Sequence, residues 1–74
     1  MNKTLYVVIL NLSTVTVVFC SIDEAEFTKI RDEIDAEDDD EIVVEFMSRN
    51  GHRESECSYM FSDKPITVEH GINN

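Results

Sequence analysis

Two apolar runs near the N-terminus predict a β-hairpin. The first run, Leu5–Leu10, is rich in β-branched residues and apolar on both faces, which favours a central strand. The segment Asn11–Thr14 is turn-prone. In the second run Val15, Val17 and Phe19 recur with a period of two, which predicts a strand with one apolar face. We expect the two strands to pair through the turn.

The next pattern predicts a helix over residues 22–36. Ser21 is followed three residues later by a glutamate, which is the spacing of a capping box. Phe27, Ile30 and Ile34 recur at three- and four-residue intervals and so share one helix face. This face is expected to pack on the sheet.

A second hairpin is predicted further along the chain. Ile42–Met47 has the composition of a third strand, and the dipeptide Asn50-Gly51 is a strong signal for a two-residue hairpin turn. The register that follows places Glu45 directly opposite Glu56. The same register puts five side chains on one core face: Ile42, Val44, Cys57, Tyr59 and Phe61.

These elements predict one small α+β domain over residues 1–74, with the element order ββαββ. The simplest topology is an antiparallel sheet of strand order 2-1-3-4 with one helix on one face. The segment Ile66–Val68 could add a short edge strand, and residues 71–74 are expected to fray.

One helix covers only one face of such a sheet. The opposite face is expected to expose Val43, Met47 and Met60, and contiguous exposed apolar patches mark interfaces. The pattern therefore predicts a homodimer through this face. A small homo-oligomeric assembly module is the alternative to the function considered below.

Composition narrows the class of protein. The chain has 74 residues and is 42% hydrophobic, which supports one small core. Cys20 and Cys57 are too few for a disulfide framework; we expect cytosolic thiols, with one bridge as the alternative. The first twenty residues contain one basic residue, Lys3, and several polar interruptions. We therefore expect neither a signal peptide nor a membrane span, and a cytoplasmic location.

Acidic residues are concentrated in the segment Asp23–Glu45. It holds twelve of the sixteen acidic residues against Lys29 and Arg31, so the whole formal net charge of −10 lies there. Such charge disfavours direct binding to nucleic acid or anionic membranes and favours a basic protein as partner. Part of the acidic run is expected at the C-terminal end of the predicted helix, where the helix dipole disfavours it. That placement suggests a purpose other than stability.

No motif for catalysis or metal binding is found. The acids Asp38–Asp40 are consecutive and lack the turn glycine of a calcium loop. Cys20, Cys57, His52 and His70 lack the paired short spacing of a zinc site. Nucleophile-elbow, P-loop and zinc-protease motifs are absent from the sequence, and one helix on one sheet offers little concavity. We therefore predict a protein that is not an enzyme and has no metal or cofactor.

In size and charge the chain resembles the small acidic inhibitors that bacteriophages encode against restriction, CRISPR or transcription proteins. No sequence motif carries this resemblance. It implies a DNA mimic, in which carboxylates imitate a phosphate backbone that presents about one charge per 1.7 Å. A solvated surface that maintains solubility is the alternative interpretation of the same acids. The predicted partner-binding residues are Glu24, Asp32, Asp35, Glu37, Asp38, Asp39, Asp40, Glu41, Glu45 and Glu56.

Overall fold

The structure, a computed structural model, describes residues 4–69. Its elements are β1 (Leu5–Asn11), β2 (Thr16–Ile22), α1 (Glu24–Ile34), α2 (Asp39–Arg49) and β3 (Cys57–Ser62), with one 3-10 turn at Glu54–Glu56. The three strands form an antiparallel sheet of order β2-β1-β3. The α+β class is therefore confirmed, whereas the predicted four-strand sheet with a single helix is wrong.

The first two strands form the predicted hairpin. Leu5 pairs with Ile22 at one end and Asn11 with Thr16 at the other. The side-chain oxygen of Asn11 accepts hydrogen bonds from the backbone N–H groups two and three residues later, at 3.0 and 3.1 Å. Asn11 thereby closes the turn, in the manner expected of an Asx turn.

The first helix begins later than predicted. Asp23 is its N-cap, and its carboxylate accepts the backbone N–H of Glu26 at 2.9 Å. Ser21, the predicted cap, belongs to β2 together with Ile22. Ile22 is fully buried in the core. This burial keeps Ile22 in β2, so the strand continues beyond Ser21, the residue predicted to cap the helix.

The first helix also ends earlier than predicted, at Ile34 rather than Ala36. Asp35 adopts the left-handed conformation with φ of 53°, and the backbone N–H of Ala36 bonds the carbonyl of Arg31 at 3.0 Å. A left-handed residue after the last turn is a common helix stop, and aspartate tolerates that conformation better than most residues.

The segment predicted as the third strand lies inside α2. Its run of β-branched residues favours a strand locally. However, Ile42, Val43 and Met47 also share one helical face, and all three are buried. Asp38 starts this helix, because its carboxylate accepts the backbone N–H of Glu41 at 3.0 Å. Capping and tertiary burial together outweigh the local strand preference.

The dipeptide Asn50-Gly51 ends α2 and does not turn a hairpin. Gly51 has φ of +83°, and its N–H bonds the carbonyl of Ser48 at 3.2 Å. The N–H of His52 bonds the carbonyl of Met47 at 2.9 Å. This is a Schellman cap, which needs a residue with positive φ just as the hairpin turn does.

The last strand pairs with β1 and forms one edge of the sheet. Tyr59 pairs with Ile9 and Phe61 with Val7. Cys57, Tyr59 and Phe61 share one face of β3, as predicted, and this face packs against the core. Ile42 was predicted in the strand beside β3, but it lies on α2. The segment Ile66–Val68, which the structure describes, forms no strand. The prediction of fraying at residues 71–74 falls outside the described part of the chain.

Both helices pack on the same face of the sheet. The core consists of Leu5, Val7, Ile9, Ile22, Phe27, Ile30, Ile42, Val43 and Met47. Burying each large aliphatic side chain contributes about 1.5–3 kcal/mol. The prediction that Val43 and Met47 are exposed on an open sheet face is wrong, because both point from α2 into this core. Met60 is exposed on the opposite face of the sheet.

Candidate functional site

The two helices lie side by side and are joined by one basic side chain. The guanidinium of Arg49 contacts the carboxylate of Glu33 on α1 at 2.7 Å and that of Glu45 on α2 at 2.9 Å. These hydrogen bonds, first that of Glu45 and then that of Glu33, raise the pKa of Arg49. Arg49 therefore bridges the two helices, which form one layer, called here the helical layer (residues 23–49).

Charge is segregated between the two layers of the fold. The three strands together contain no acidic or basic residue. The helical layer holds the twelve acidic residues of the segment Asp23–Glu45 and three basic ones, Lys29, Arg31 and Arg49. One side of the molecule therefore carries a strong negative field, while the sheet contributes none.

The acidic run builds the start of α2. Asp38 is the N-cap, and the carboxylate of Glu41 reaches back to accept the backbone N–H of Glu37, one residue before the cap. Asp39 and Asp40 lie in the first turn, where the helix dipole favours negative charge. The sequence placed these acids at the unfavourable end of a helix. The prediction holds for Asp35, which lies at the C-terminal end of α1, and is wrong for residues 38–41, which begin α2 and stabilise it.

The other acids of the helical layer differ in their contacts. Asp23 caps α1, and Asp32 forms an ion pair at 3.3 Å with the neighbouring Arg31. In contrast, the side chains of Glu24, Asp35 and Glu37 are exposed and make no hydrogen bond or ion pair within residues 4–69. These three carboxylates make no polar side-chain contact in the described part of the chain and are available to a partner.

A tyrosine joins β3 to the start of α2. The hydroxyl of Tyr59 donates a hydrogen bond to Asp40 at 2.7 Å. This bond, followed by burial and the charges of Asp40, Glu54 and Asp38, raises the pKa of Tyr59 to about 12. The hydroxyl therefore stays protonated at neutral pH. The sequence did not predict this contact, because Asp40 was expected in a loop and Tyr59 was expected to pair with Ile42 of a neighbouring strand.

All but one of the predicted partner-binding acids lie in the helical layer. The exception is Glu56, which lies in the 3-10 turn before β3. The predicted opposition of Glu45 and Glu56 is wrong, because Glu45 lies on α2 and bonds Arg49. The signal that could have revealed α2 was the spacing of Asp38 and Glu41 directly before an apolar run.

The cysteines are free thiols. Cys20 on β2 and Cys57 on β3 are separated by β1, and two strand spacings of about 4.8 Å each exceed the reach of a disulfide. The thiol of Cys20 lies 3.7 Å from the carbonyl oxygen of Val7, and burial raises the pKa of this thiol. Cys20 is therefore a protonated packing residue and a poor nucleophile.

His52 satisfies a buried amide. The side-chain nitrogen of Asn11, a residue only 4% exposed, lies 3.0 Å from Nδ1 of His52. Because the oxygen of Asn11 already accepts two backbone N–H groups, its NH2 group donates and the histidine nitrogen accepts. This contact fixes the chain after α2 against the end of β1.

The described residues offer little to a small ligand. No three His, Cys, Asp or Glu side chains among residues 4–69 are grouped to hold a metal, and His70 falls outside this range. A cleft of about 200 Å³ lies between the end of α1 and the start of α2. Small-molecule pockets usually measure about 300–1,000 Å³. None of the helices described here has the length and apolarity that crossing a bilayer requires.

No protein-family model, curated protein sequence or solved structure shows a significant match to the chain.

Proposed function

We propose that this chain is a non-enzymatic protein-binding module whose acidic helical layer occupies a basic surface of another protein. The observation that carries the proposal is the segregation of charge between an acidic helical layer and uncharged strands. The favoured partner is a nucleic-acid-binding protein, because its basic channel is built to receive dense negative charge.

The arrangement of the carboxylates suits such a partner. Acids from α1, from the connecting turn and from the first turn of α2 belong to one layer that Arg49 holds together. The acids at the start of α2 are held by capping and by Tyr59, so little side-chain entropy is lost when they bind. Each carboxylate has about four acceptor positions, so a carboxylate engaged in a cap can still accept a bond from lysine or arginine.

The resemblance in size and charge to phage-encoded inhibitors supports a narrower form of the proposal. The chain would act in the cytoplasm as a DNA mimic against a restriction, CRISPR or transcription protein. Long-range attraction to the partner would make association fast and sensitive to salt.

The test compares two variants that remove equal charge. The first neutralises acids of the helical layer without a structural contact, as Glu24→Gln, Asp35→Asn and Glu37→Gln. The second neutralises three acids outside the layer and outside the predicted binding set, as Glu54→Gln, Asp63→Asn and Glu69→Gln. Each immobilised protein is exposed to nuclease-treated bacterial lysate at two salt concentrations, and captured proteins are identified by mass spectrometry.

A captured partner is then titrated with a DNA duplex in the presence of each variant. We expect wild type and the second variant to displace the duplex equally well. The first variant should bind about tenfold more weakly, since each exposed ion pair contributes about 0.2–1 kcal/mol. Equal affinities for all three proteins, with no dependence on salt, would contradict the proposal.

A further inference from the structure

The face of the sheet turned away from the helices, called here the outer face, has an apolar centre. The register aligns Phe19, Val8 and Met60 in one row across β2, β1 and β3. Three serines, one in β2 and two in β3, lie at corners of the face. An apolar centre with a polar rim is the anatomy of a protein–protein interface.

This surface is open to solvent. Phe19 is 55% exposed, Val17 54%, Met60 54% and Leu10 41%. The apolar surface continues into the hairpin turn, where Val15 is 90% exposed. A contiguous apolar surface of this kind on a small domain marks an interaction site.

We propose that a second copy of this chain covers the outer face. The strands carry no charge, so the outer face offers no ionic complement to a charged partner. An anionic membrane would repel the net charge of −10. A second copy supplies the same uncharged, apolar surface. This inference does not depend on the proposed function.

Self-association through this face also keeps the acidic layers apart. Packed sheets lie about 10 Å from each other, and one helix about 10 Å thick lies beyond each sheet. The two acidic layers would therefore be separated by about 30 Å, which exceeds the Debye length of about 8 Å at physiological salt. Repulsion between the copies is thereby largely screened, whereas contact through the helical layers would set carboxylates against carboxylates.

A two-fold axis makes the face self-complementary. If the axis runs parallel to β1 above Val8, then Phe19 of each copy packs against Met60 of the other, and the two Val8 side chains meet at the centre. A thioether against an aromatic ring is a favourable contact. The serines then lie toward the edge of the interface.

The small area of the outer face limits the stability of the dimer. Strands rise about 3.3 Å per residue and lie about 4.8 Å apart, so the face covers roughly 300 Å² in projection. A standard stable interface buries about 800 Å² of accessible surface per partner. The outer face is well below that size, so we expect a weak and reversible dimer.

Sedimentation velocity over a concentration series of the full chain tests the proposal. Phe19→Ser and Met60→Ser should each weaken the dimer about tenfold or more, as expected for central interface residues. Ile34→Ser is the control, because Ile34 is also partly exposed but lies on α1. Circular dichroism checks that each variant retains its fold. Added salt should strengthen the dimer, whereas it would weaken binding to a basic partner.

A wild-type chain that stays monomeric up to about millimolar concentration would overturn the proposal. A dimer that is unaffected by both outer-face variants would also overturn it.

Discussion

Val15 combines a β-branched side chain with a left-handed backbone. Its φ is 54°, and it is 90% exposed at the hairpin turn. A β-branched residue in this conformation is strained by about 1–3 kcal/mol. No buried contact of Val15 offsets that cost.

Replacing Val15 should therefore stabilise the fold. Val15→Asn introduces a residue that tolerates the left-handed region, and we expect the free energy of unfolding to rise by about 1 kcal/mol. Leu12→Asn is the control, because Leu12 is exposed in the same turn without positive φ. Urea unfolding measures both changes. A gain from Leu12→Asn as large as that from Val15→Asn would show that polarity and not backbone strain is responsible.

Tyr59 makes a pH-dependent contribution to stability. Its pKa is about 12 in the folded protein, above the ordinary value of 10.0 that applies when the chain is unfolded. The folded state thus holds this proton more tightly. The stabilisation is complete below pH 10 and is lost as the pH rises toward 12.

Tyr59→Phe should lower the free energy of unfolding by about 1 kcal/mol at neutral pH, since one hydrogen bond to Asp40 is lost. The difference from wild type should disappear as the pH approaches 12. Tyr6→Phe is the control, because the hydroxyl of Tyr6 makes no hydrogen bond within residues 4–69. Urea unfolding at several pH values measures the difference. A constant difference across this range would mean that the bond to Asp40 is not responsible.

At the scale of elements, the hairpin and α1 were predictable and α2 was not. The period-two pattern and the turn at Asn11 define β1 and β2 locally. The segment Ile42–Met47 contains both a strand-like composition and a helical apolar face, and Asn50-Gly51 fits both a hairpin turn and a helix end. Contacts with the sheet decide between these alternatives, and these tertiary contacts cannot be read from a single sequence.

The missed helix also changed the interpretation of the candidate site. Because α2 was not predicted, the acids after Asp35 had no structural explanation. They were expected to destabilise the C-terminal end of the first helix, where the helix dipole disfavours negative charge. The acidic set was proposed as a binding surface from charge alone. Which members hold the fold, such as Asp38 and Asp40, depended on tertiary contacts.

Asp38 provides a test of α2. Asp38→Ala should lower the free energy of unfolding by about 1 kcal/mol through loss of the N-cap. Asp38→Asn removes the same charge but retains a good capping side chain, so it should cost much less. Urea unfolding followed by circular dichroism compares the two. Equal losses would indicate that charge at this position, and not capping, stabilises the helix.

On the scale of the whole molecule, one layer carries the charge and the other an open apolar face. The twelve acids of the helical layer outnumber its three basic residues, so repulsion within the layer should exceed attraction. Added salt should therefore raise the melting temperature. For a domain of this size each 1 kcal/mol corresponds to about 4–8 °C. A melting temperature that falls with salt would mean that ion pairs such as Arg49 with Glu33 dominate.

The proposed dimer and the proposed function are compatible. Packing of two outer faces would leave one acidic helical layer on each outward side. Such a dimer would present two binding surfaces and so gain avidity for a partner with two basic sites.

The central claim is that the helical layer, and not the outer face, binds a basic nucleic-acid-binding partner. Amide chemical shifts of the isotope-labelled chain, recorded during titration with a captured partner, test it most directly. We expect the largest changes on the surface of α1, on residues 35–38 and on the first turn of α2. Changes centred on Phe19 and Met60, with the helical layer unaffected, would contradict it.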